Sequence, residues 1–453
     1  MTTPRRPAEP APDNTAERDA PPAGRDLGAG GTFRLEPPRL RITSDQDEER
    51  HATWYELFFD LVFVAAVSQL GAALARDPSA VVFARFAGLF VVIVWAWILY
   101  TLYANRFDTD DLIFRLGKAG GMLAVAAIAV TLPRVMAGRG GGIAFAACYV
   151  ILRAFLIAFY GRSWYHLRGE ARTLAETYVA GYSFTTGLWL VSIFVSSPWR
   201  YVLWGVAMVI DLAIPPRAWR TLSAARVVIS HLTERFGTFF IIVLGESVVV
   251  AVAGVAGFEF TVTSWVIAGI GFLMTLCLWW IYFDLADTSV VGRGALGLIY
   301  VYSHFILLAG VVSFGEGTKL AIIHGAQPDL NAGARWALAG GVAAFALSLA
   351  IIHLGAEWTS LRDRTFLGRL ALTAAAIIVA AVGGGIAPVA FVALVAAALL
   401  GQLFLEAVTP RFGASTVVQP ADLAARAGAT SAQAASGGPA GERAASEGAA
   451  PAS

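Results

Sequence analysis

The stretch "HATWYELFFDLVFVAAVSQLGAALA", residues 51–75, decides the fold. It is apolar and long enough to cross a bilayer, which takes about 20 residues of helix. It also carries two acids four residues apart, Glu56 and Asp60, which a helix places on one face. Because a charge at the bilayer centre costs roughly 2.5–3.5 kcal/mol, we expect that face to meet water or a partner side chain instead of lipid.

The whole chain has the composition of a polytopic membrane protein. Of its 453 residues, 57% are hydrophobic and 14% are charged, against about 45–50% and about 25% in soluble domains. The net charge is +1, so no bulk electrostatic field favours nucleic acid as a partner. The two cysteines, Cys148 and Cys277, lie inside apolar segments and indicate neither a disulfide framework nor a thiolate metal site. No cofactor is expected.

The hydropathy pattern predicts an all-α fold with about 12 transmembrane helices, each of roughly 20 residues. The predicted spans are 54–75, 82–104, 113–136, 142–161, 177–197, 199–215, 236–257, 264–285, 296–323, 334–355, 367–386 and 388–407. The flanking segments 1–50 and 411–453 are polar or rich in Ala, Gly, Ser and Pro. Because such segments bury too little apolar surface to offset their ordering entropy, we predict two disordered tails.

Two motif pairs suggest an internal repeat. "HATWYELFFDLVFV" at 51 and "HLTERFGTFFIIVL" at 231 share His-x-Thr before an apolar helix, and "WILYTLYANRFD" at 97 matches "WIYFDLAD" at 280. The two offsets are nearly equal, so we predict six-helix repeats over 51–230 and 231–410. The alternative is chance similarity between apolar helices. Most arginines and lysines fall in the loops that are inside if the amino terminus is inside, which predicts cytoplasmic termini.

The stretches "HATWYELFFDLVFVAAVSQL" and "HLTERFGTFFIIVLGESVV" resemble the two signature stretches of the bacterial low-temperature-requirement A family. The likeness covers residues of about 50–410. It implies a multi-pass protein of the bacterial inner membrane. The family name records a growth phenotype, and the resemblance supplies no catalytic residues.

Glu246, in "VLGESVV", is the first candidate for a functional site. It lies about 16 Å along the helix from Arg235, which places it near the bilayer midplane, and Ser247 adds a hydroxyl. A carboxylate at that depth must be protonated, paired or in contact with water. It is therefore either a proton or cation site on a pathway or a structural acid paired with a buried base such as Arg153.

Glu56 and Asp60 are the second candidates. They form either a cation site at the inner mouth or an interfacial acid pair that binds arginines of the inner loops. His304, within the ninth span, is either a proton relay or a hydrogen-bonded packing residue. Glu316 and Lys319, at i and i+3, fall toward the outer end of the same span.

Twelve spans, a six-plus-six repeat and intramembrane acids favour a transporter or channel for a small solute or cation. One alternative is a membrane stress or scaffold protein that transports nothing. The other is a magnesium-dependent enzyme resembling an intramembrane prenyltransferase, built on two clusters of aspartates. These clusters are Asp108, Asp110, Asp111 and Asp284, Asp287. Serine hydrolase, zincin and kinase motifs are absent, so we predict a protein that is not an enzyme.

Overall fold

A computed structural model describes most of the chain between residues 37 and 409. The described ranges are 37–40, 53–108, 111–221, 229–256, 261–285, 295–354 and 361–409. Almost all of the two predicted tails, and the Asp110 and Asp287 of the enzyme hypothesis, lie outside these ranges. The side chains of Asp108 and Asp284 lie outside the described part as well.

Twelve helices form the described part, one for each apolar segment. They are α1 Trp54–Arg76, α2 Ala80–Arg106, α3 Leu112–Met136, α4 Gly142–His166, α5 Gly169–Phe194, α6 Trp199–Thr221, α7 Ile229–Ala256, α8 Val262–Trp280, α9 Ala295–Ile323, α10 Ala332–Leu354, α11 Arg364–Val382 and α12 Pro388–Val408. A π-helical turn, Ile281–Leu285, continues α8. The predicted all-α membrane fold is confirmed.

Eleven of the twelve helices are long and apolar enough to cross a membrane. The exception is α5, which is 26 residues long but carries hydroxyl side chains through its apolar part. Among them, Tyr178, Tyr182 and Thr185 are fully buried in the protein. The hydropathy of α5 is therefore lowered by groups that face the bundle interior, where polar side chains of membrane helices lie.

Side-chain caps fix where several helices begin. The helix N-caps Thr53, Ser79, Asp111, Thr261 and Asp363 each accept a hydrogen bond from a backbone N–H of the first turn. Such a cap contributes about 1 kcal/mol by satisfying a donor that has no partner within the helix. The starts of these helices are thus encoded by single polar residues before each apolar run.

Each half of the chain packs its six helices in the same order. The first helix contacts the second and third, and contacts then follow between third and fourth, fourth and fifth, and fifth and sixth. Two copies of one six-helix unit would produce this shared order, and the repeat itself stays a prediction. Few residues of sequence separate successive helices, so neighbouring helices in the chain run in opposite directions. Odd-numbered helices run from the end at which α1 begins, called the Thr53 end, to the end at which it finishes, called the Arg76 end.

The two halves meet where α1 and α2 pack against α7 and α9. Trp95 of α2 is fully buried there, with its ring 6.1 Å from the rings of Tyr302 and Phe305 on α9. The Tyr302 hydroxyl donates to the Leu212 carbonyl of α6 at 2.7 Å. Trp95 therefore packs between the halves and does not lie in an interfacial aromatic belt.

Residues 39–40, within the tail predicted to be disordered, form a short strand that pairs with the residues after α2. Strand β1, Arg39–Leu40, pairs antiparallel with β2, Phe107–Asp108, with Arg39 opposite Asp108 and Leu40 opposite Phe107. Phe107 ends α2 in an extended conformation, so its backbone groups need partners outside the helix. Residues 39–40 supply them, and the Leu40 side chain packs against the core.

Candidate functional site

Two polar clusters lie along α1 at the interface between the halves. The first surrounds Asp60 and the second surrounds Ser68. Eight residues of helix separate them, or about 12 Å. Both clusters bring side chains of α1 and α7 together, so both join the two halves of the protein.

The first cluster is a buried ion pair. Arg235 of α7 donates from Nη2 to Asp60 Oδ1 at 2.5 Å, and Trp97 of α2 donates from Nε1 to the same oxygen at 2.7 Å. The side chain of Asp60 is 0% exposed and that of Arg235 is 2% exposed. Because the pair is removed from water, losing one partner would leave an uncompensated charge, which costs about 3–5 kcal/mol.

Aromatic rings enclose this ion pair. The Trp97 ring lies 4.3 Å from that of Phe239 and 5.0 Å from that of Phe236, both on α7. The buried Lys118 of α3 places its Nζ 4.7 Å from the centre of the ring of Phe59, the residue before Asp60, and acts electrostatically on Asp60. Lys118 thus adds a second cation near Asp60, held over an aromatic face.

The second cluster contains two glutamates. Ser68 donates its hydroxyl hydrogen to Glu246 Oε1 at 2.5 Å. One turn further along α1, a Cβ at Gly71 would lie only 2.9 Å from Oε1 of Glu316 on α9. Glu246 and Glu316 are close enough to interact electrostatically, so α1 brings a hydroxyl and a glycine against two neighbouring carboxylates.

The two cations near the glutamate cluster, Lys319 and Arg76, both act on Glu316. Lys319 Nζ lies 3.8 Å from Glu316 Oε2, and Arg76, at the end of α1, also attracts this carboxylate electrostatically. Glu316 is buried, whereas Glu246 is half-buried. Within the described residues, no arginine or lysine forms an ion pair with Glu246; its partner is the Ser68 hydroxyl.

Ser247 lies beside Glu246 in the sequence but not in the cluster. Its hydroxyl donates to backbone carbonyls, that of Val311 on α9 at 3.3 Å and that of Val243 in its own helix at 3.4 Å. A Cβ at Gly315 would meet the Ser247 hydroxyl at 2.7 Å. Ser247 thus packs α7 closely against α9, and the hydroxyl that meets Glu246 comes from α1.

Glu56 caps α1 through a reciprocal contact with Thr53. Its carboxylate accepts from the Thr53 backbone N–H at 2.9 Å, while the Thr53 hydroxyl accepts from the Glu56 N–H at 3.3 Å. This reciprocal pair is a capping box. Glu56 thus helps to fix the start of α1, one turn before Asp60.

His304 is buried and hydrogen-bonded at both ring nitrogens. Nδ1 lies 2.7 Å from the Tyr300 carbonyl oxygen, and Nε2 lies 3.0 Å from the hydroxyl of Tyr282 in the π-helical turn. Because a carbonyl can only accept, Nδ1 carries the hydrogen and Nε2 accepts from Tyr282. The ring also packs 4.5 Å from Phe236. This geometry matches the packing alternative for His304.

Comparison with known proteins agrees with the fold and the motifs. The family model described as bacterial low temperature requirement A protein (LtrA) matches residues 51–403. The chain belongs to the LtrA family. Its sequence is also 28% identical over 305 residues to Uncharacterized protein RA0937 of Rhizobium meliloti (strain 1021), an alignment that covers 62% of this chain and 72% of that relative. Membership of this family, together with eleven helices apolar enough to span a membrane, shows that the chain is a multi-pass membrane protein.

Other buried acids of this LtrA family member meet arginines inside one half. Asp211 of α6 pairs with Arg153 of α4 at 2.5 Å, and Glu406 of α12 pairs with Arg369 of α11 at 2.8 Å. Arg153, which the sequence offered as a partner for Glu246, is thus engaged elsewhere. In these pairs and in Asp60–Arg235 an arginine meets the acid directly, and Lys319 lies near Glu316. The half-buried Glu246 differs, because its described partner is the Ser68 hydroxyl.

Of the five aspartates in the enzyme hypothesis, Asp111 is the one whose side chain the structure of this LtrA family member describes. Asp111 caps α3 and pairs with Arg162 at 2.7 Å, so it is engaged in holding α3 against α4. Across the described residues, no group of three or more His, Cys, Asp or Glu side chains could hold a metal ion.

Sequence reasoning missed Ser68 and Gly71, and it began the seventh span at 236, just after Arg235. Ser68 and Gly71 lie within the opening stretch as "SQLG", whose only local signal is a small polar and a small apolar residue on one helix face. Helix α7 begins at Ile229, so Arg235 lies almost two turns inside it. A longer α7 is therefore the physical reason for the burial of Arg235.

Proposed function

We propose that this protein moves a small cation across the bacterial inner membrane between its two halves, with Glu246 and Glu316 on the path and both termini in the cytoplasm. Its role on this proposal is transport and not catalysis. The observation that carries the proposal is the half-buried Glu246 carboxylate, whose partner across the interface is the Ser68 hydroxyl and not a base.

Intramembrane carboxylates are costly unless they are protonated, paired or in contact with water. Glu246 and Glu316 lie within two helices that are apolar enough to span the membrane, and Lys319 is 3.8 Å from Glu316. Lys319 and Arg76 both act on Glu316, whereas the described partner of Glu246 is the Ser68 hydroxyl. A cation or a proton would neutralise the Glu246 carboxylate, which supports a cation in preference to an anion as the transported species.

The Asp60–Arg235 pair would close the path toward the Thr53 end. Both side chains are buried, and Trp97 and Phe239 pack around them. A hydrated cation has no passage there unless the pair separates or shifts. On this proposal the structure corresponds to a state that is closed near Asp60, with the glutamate cluster nearer the Arg76 end.

A second candidate is a membrane protein that carries no flux and acts in the response to cold. The buried ion pair of Asp60 and Arg235 favours this candidate, because it joins α1 to α7 across the interface. A protein of this kind would depend on Asp60 and Arg235 for its stability, and it would be insensitive to neutralisation of Glu246.

Reconstitution into proteoliposomes separates the two candidates. We expect the wild-type protein to carry K⁺, Na⁺ or H⁺, and Glu246→Gln to abolish that flux with unchanged yield and monodispersity. Glu176→Gln is the matched control, because Glu176 is exposed on α5 away from the interface. Flux at the wild-type level in Glu246→Gln would remove this residue from the path. No flux of any of the three ions, together with cold-tolerant growth that survives Glu246→Gln, would favour the second candidate.

A further inference from the structure

A groove of about 430 Å³ opens between α2 and α6 near the Arg76 end of the first half. The walls of the groove farther from the Arg76 end are apolar and include Val92, Trp204 and Met208. Arg85 lies at the opening of the groove toward the Arg76 end, called its mouth. The volume falls within the range of roughly 300–1,000 Å³ that is usual for sites that bind small molecules. The groove lies outside the interface that contains the glutamate cluster.

The groove exists because α2 and α6 stay apart. In the second half, the corresponding second and sixth helices, α8 and α12, pack against each other, whereas the described residues of α2 and α6 make hardly any contact. Gly88 and Gly205 line the gap. A Cβ at either glycine would meet nothing within 4 Å, so these glycines do not serve close helix packing, which is their usual role in membranes.

The mouth of the groove lies at a positively charged end of the first half. Arg85 donates one hydrogen bond, from Nη1 to the Met136 carbonyl at 2.9 Å, and is exposed. At the same end, Arg134 lies in the last turn of α3, Arg139 in the turn that follows α3, and Arg200 in the first turn of α6. In the described part of the chain, none of these four guanidinium groups pairs with a carboxylate.

We propose that the groove holds an anionic phospholipid, with its phosphate on Arg85 and one acyl chain along Gly88 and Gly205. Arginine binds phosphate oxygens through paired N–H donors, so the exposed Arg85 guanidinium beside an apolar groove complements an anionic lipid headgroup. The apolar walls beside Trp204 and Met208 suit the chain. This proposal does not depend on the transport function.

Native mass spectrometry of the purified protein with added lipid tests the site. We expect wild-type protein to retain dioleoyl phosphatidylglycerol over dioleoyl phosphatidylcholine, because the choline cation of the latter offsets its phosphate charge. Arg85→Gln should lower retention of phosphatidylglycerol by about tenfold, the usual size of a lost charge-assisted hydrogen bond. Gly205→Leu should reduce retention of both lipids because its side chain fills the groove. Gly401→Leu is the control, because Gly401 is also exposed with nothing within 4 Å but lies on α12.

Circular dichroism and size-exclusion chromatography check that the variants are folded, and Gly88→Leu replaces Gly205→Leu if the latter is not. Equal retention of the two lipids by the wild type would overturn the proposal. So would retention of phosphatidylglycerol by Gly88→Leu or Gly205→Leu at the level of Gly401→Leu. A dimer of the wild type that Gly205→Leu converts to a monomer would also overturn it, because a second copy would then cover the groove.

Discussion

The hydroxyl of Ser68 on α1 lies 2.5 Å from the carboxylate of Glu246 on α7, across 178 positions of sequence. The hydrogen bond joins the two halves of the protein at a point where both flanking helices are apolar enough to span the membrane. Gly71, one turn further along α1, lies against Glu316. A single face of α1 therefore organises both carboxylates on which the proposed cation path depends.

Removing the Ser68 hydroxyl should weaken the path without unfolding the protein. In Ser68→Ala, Glu246 loses its partner on α1, and an unpaired buried acceptor costs about 1–3 kcal/mol. We expect cation flux in proteoliposomes to fall by about tenfold and Ser68→Thr to restore part of it. Ser313→Ala is the control, because the Ser313 hydroxyl donates to Ala337 on α10, away from the cluster. An equal loss in both serine variants would argue against a specific role for Ser68.

The Asp60–Arg235 pair should behave as a coupled unit in stability measurements. Asp60→Asn or Arg235→Gln alone leaves one buried charge and should lower the free energy of unfolding by about 3–5 kcal/mol. The double variant should recover part of that loss, because both charges are then removed. Glu56→Gln should change little, since glutamine also completes a capping box. Thermal unfolding in detergent measures all four, and additive losses from the two single variants would contradict direct pairing.

A side chain at position 71 should disturb Glu316 directly. A Cβ there would lie 2.9 Å from Glu316 Oε1 and 3.0 Å from Val312 Cγ1, contacts that force α1 or α9 to shift. We expect Gly71→Ala to reduce cation flux at least severalfold and to lower stability by about 1–3 kcal/mol. Gly401→Ala, which meets open space, provides the comparison. Wild-type flux in Gly71→Ala would show that the packing of α1 on Glu316 is unimportant for transport.

His304 should act in packing and not as a proton relay. Its two ring nitrogens are satisfied by Tyr282 and the Tyr300 carbonyl, so His304→Phe should cost about 1–3 kcal/mol of stability by leaving the Tyr282 hydroxyl unpaired. The dependence of flux on pH should keep its wild-type shape. A changed pH profile with normal stability would instead assign His304 to proton transfer.

The helices were largely predictable because their signal is local. The span predicted at 296–323 is found as Ala295–Ile323, and the one predicted from 388 begins at Pro388. Each span is recognised as an apolar run long enough to cross a bilayer, with turn residues on either side. Helix α5 gives a weaker hydropathy signal, because its buried hydroxyl groups lower its hydropathy, but it still forms a helix of membrane length.

The contacts of the candidate site were beyond sequence reasoning because they are distant in the chain. Asp60 meets Arg235 across 175 positions, and nothing near either residue specifies the other. Glu246 was correctly located inside a span, but its partner is Ser68 on α1 and not the adjacent Ser247. Side-chain direction on a helix decides this: Ser247 points to α9, where it donates to the Val311 carbonyl.

Access of water to Ser68 tests the central claim most directly. In a background without Cys148 and Cys277, the two cysteines of the chain, Ser68→Cys would be exposed to a small membrane-impermeant thiol reagent in sealed vesicles. Ser313→Cys is the buried control, since Ser313 lies between α9 and α10. We predict that Cys at position 68 reacts from the Arg76 end and is protected by the transported cation. Reactivity as low as that of the Ser313 control would show a dry interface at Glu246 and contradict a cation path there.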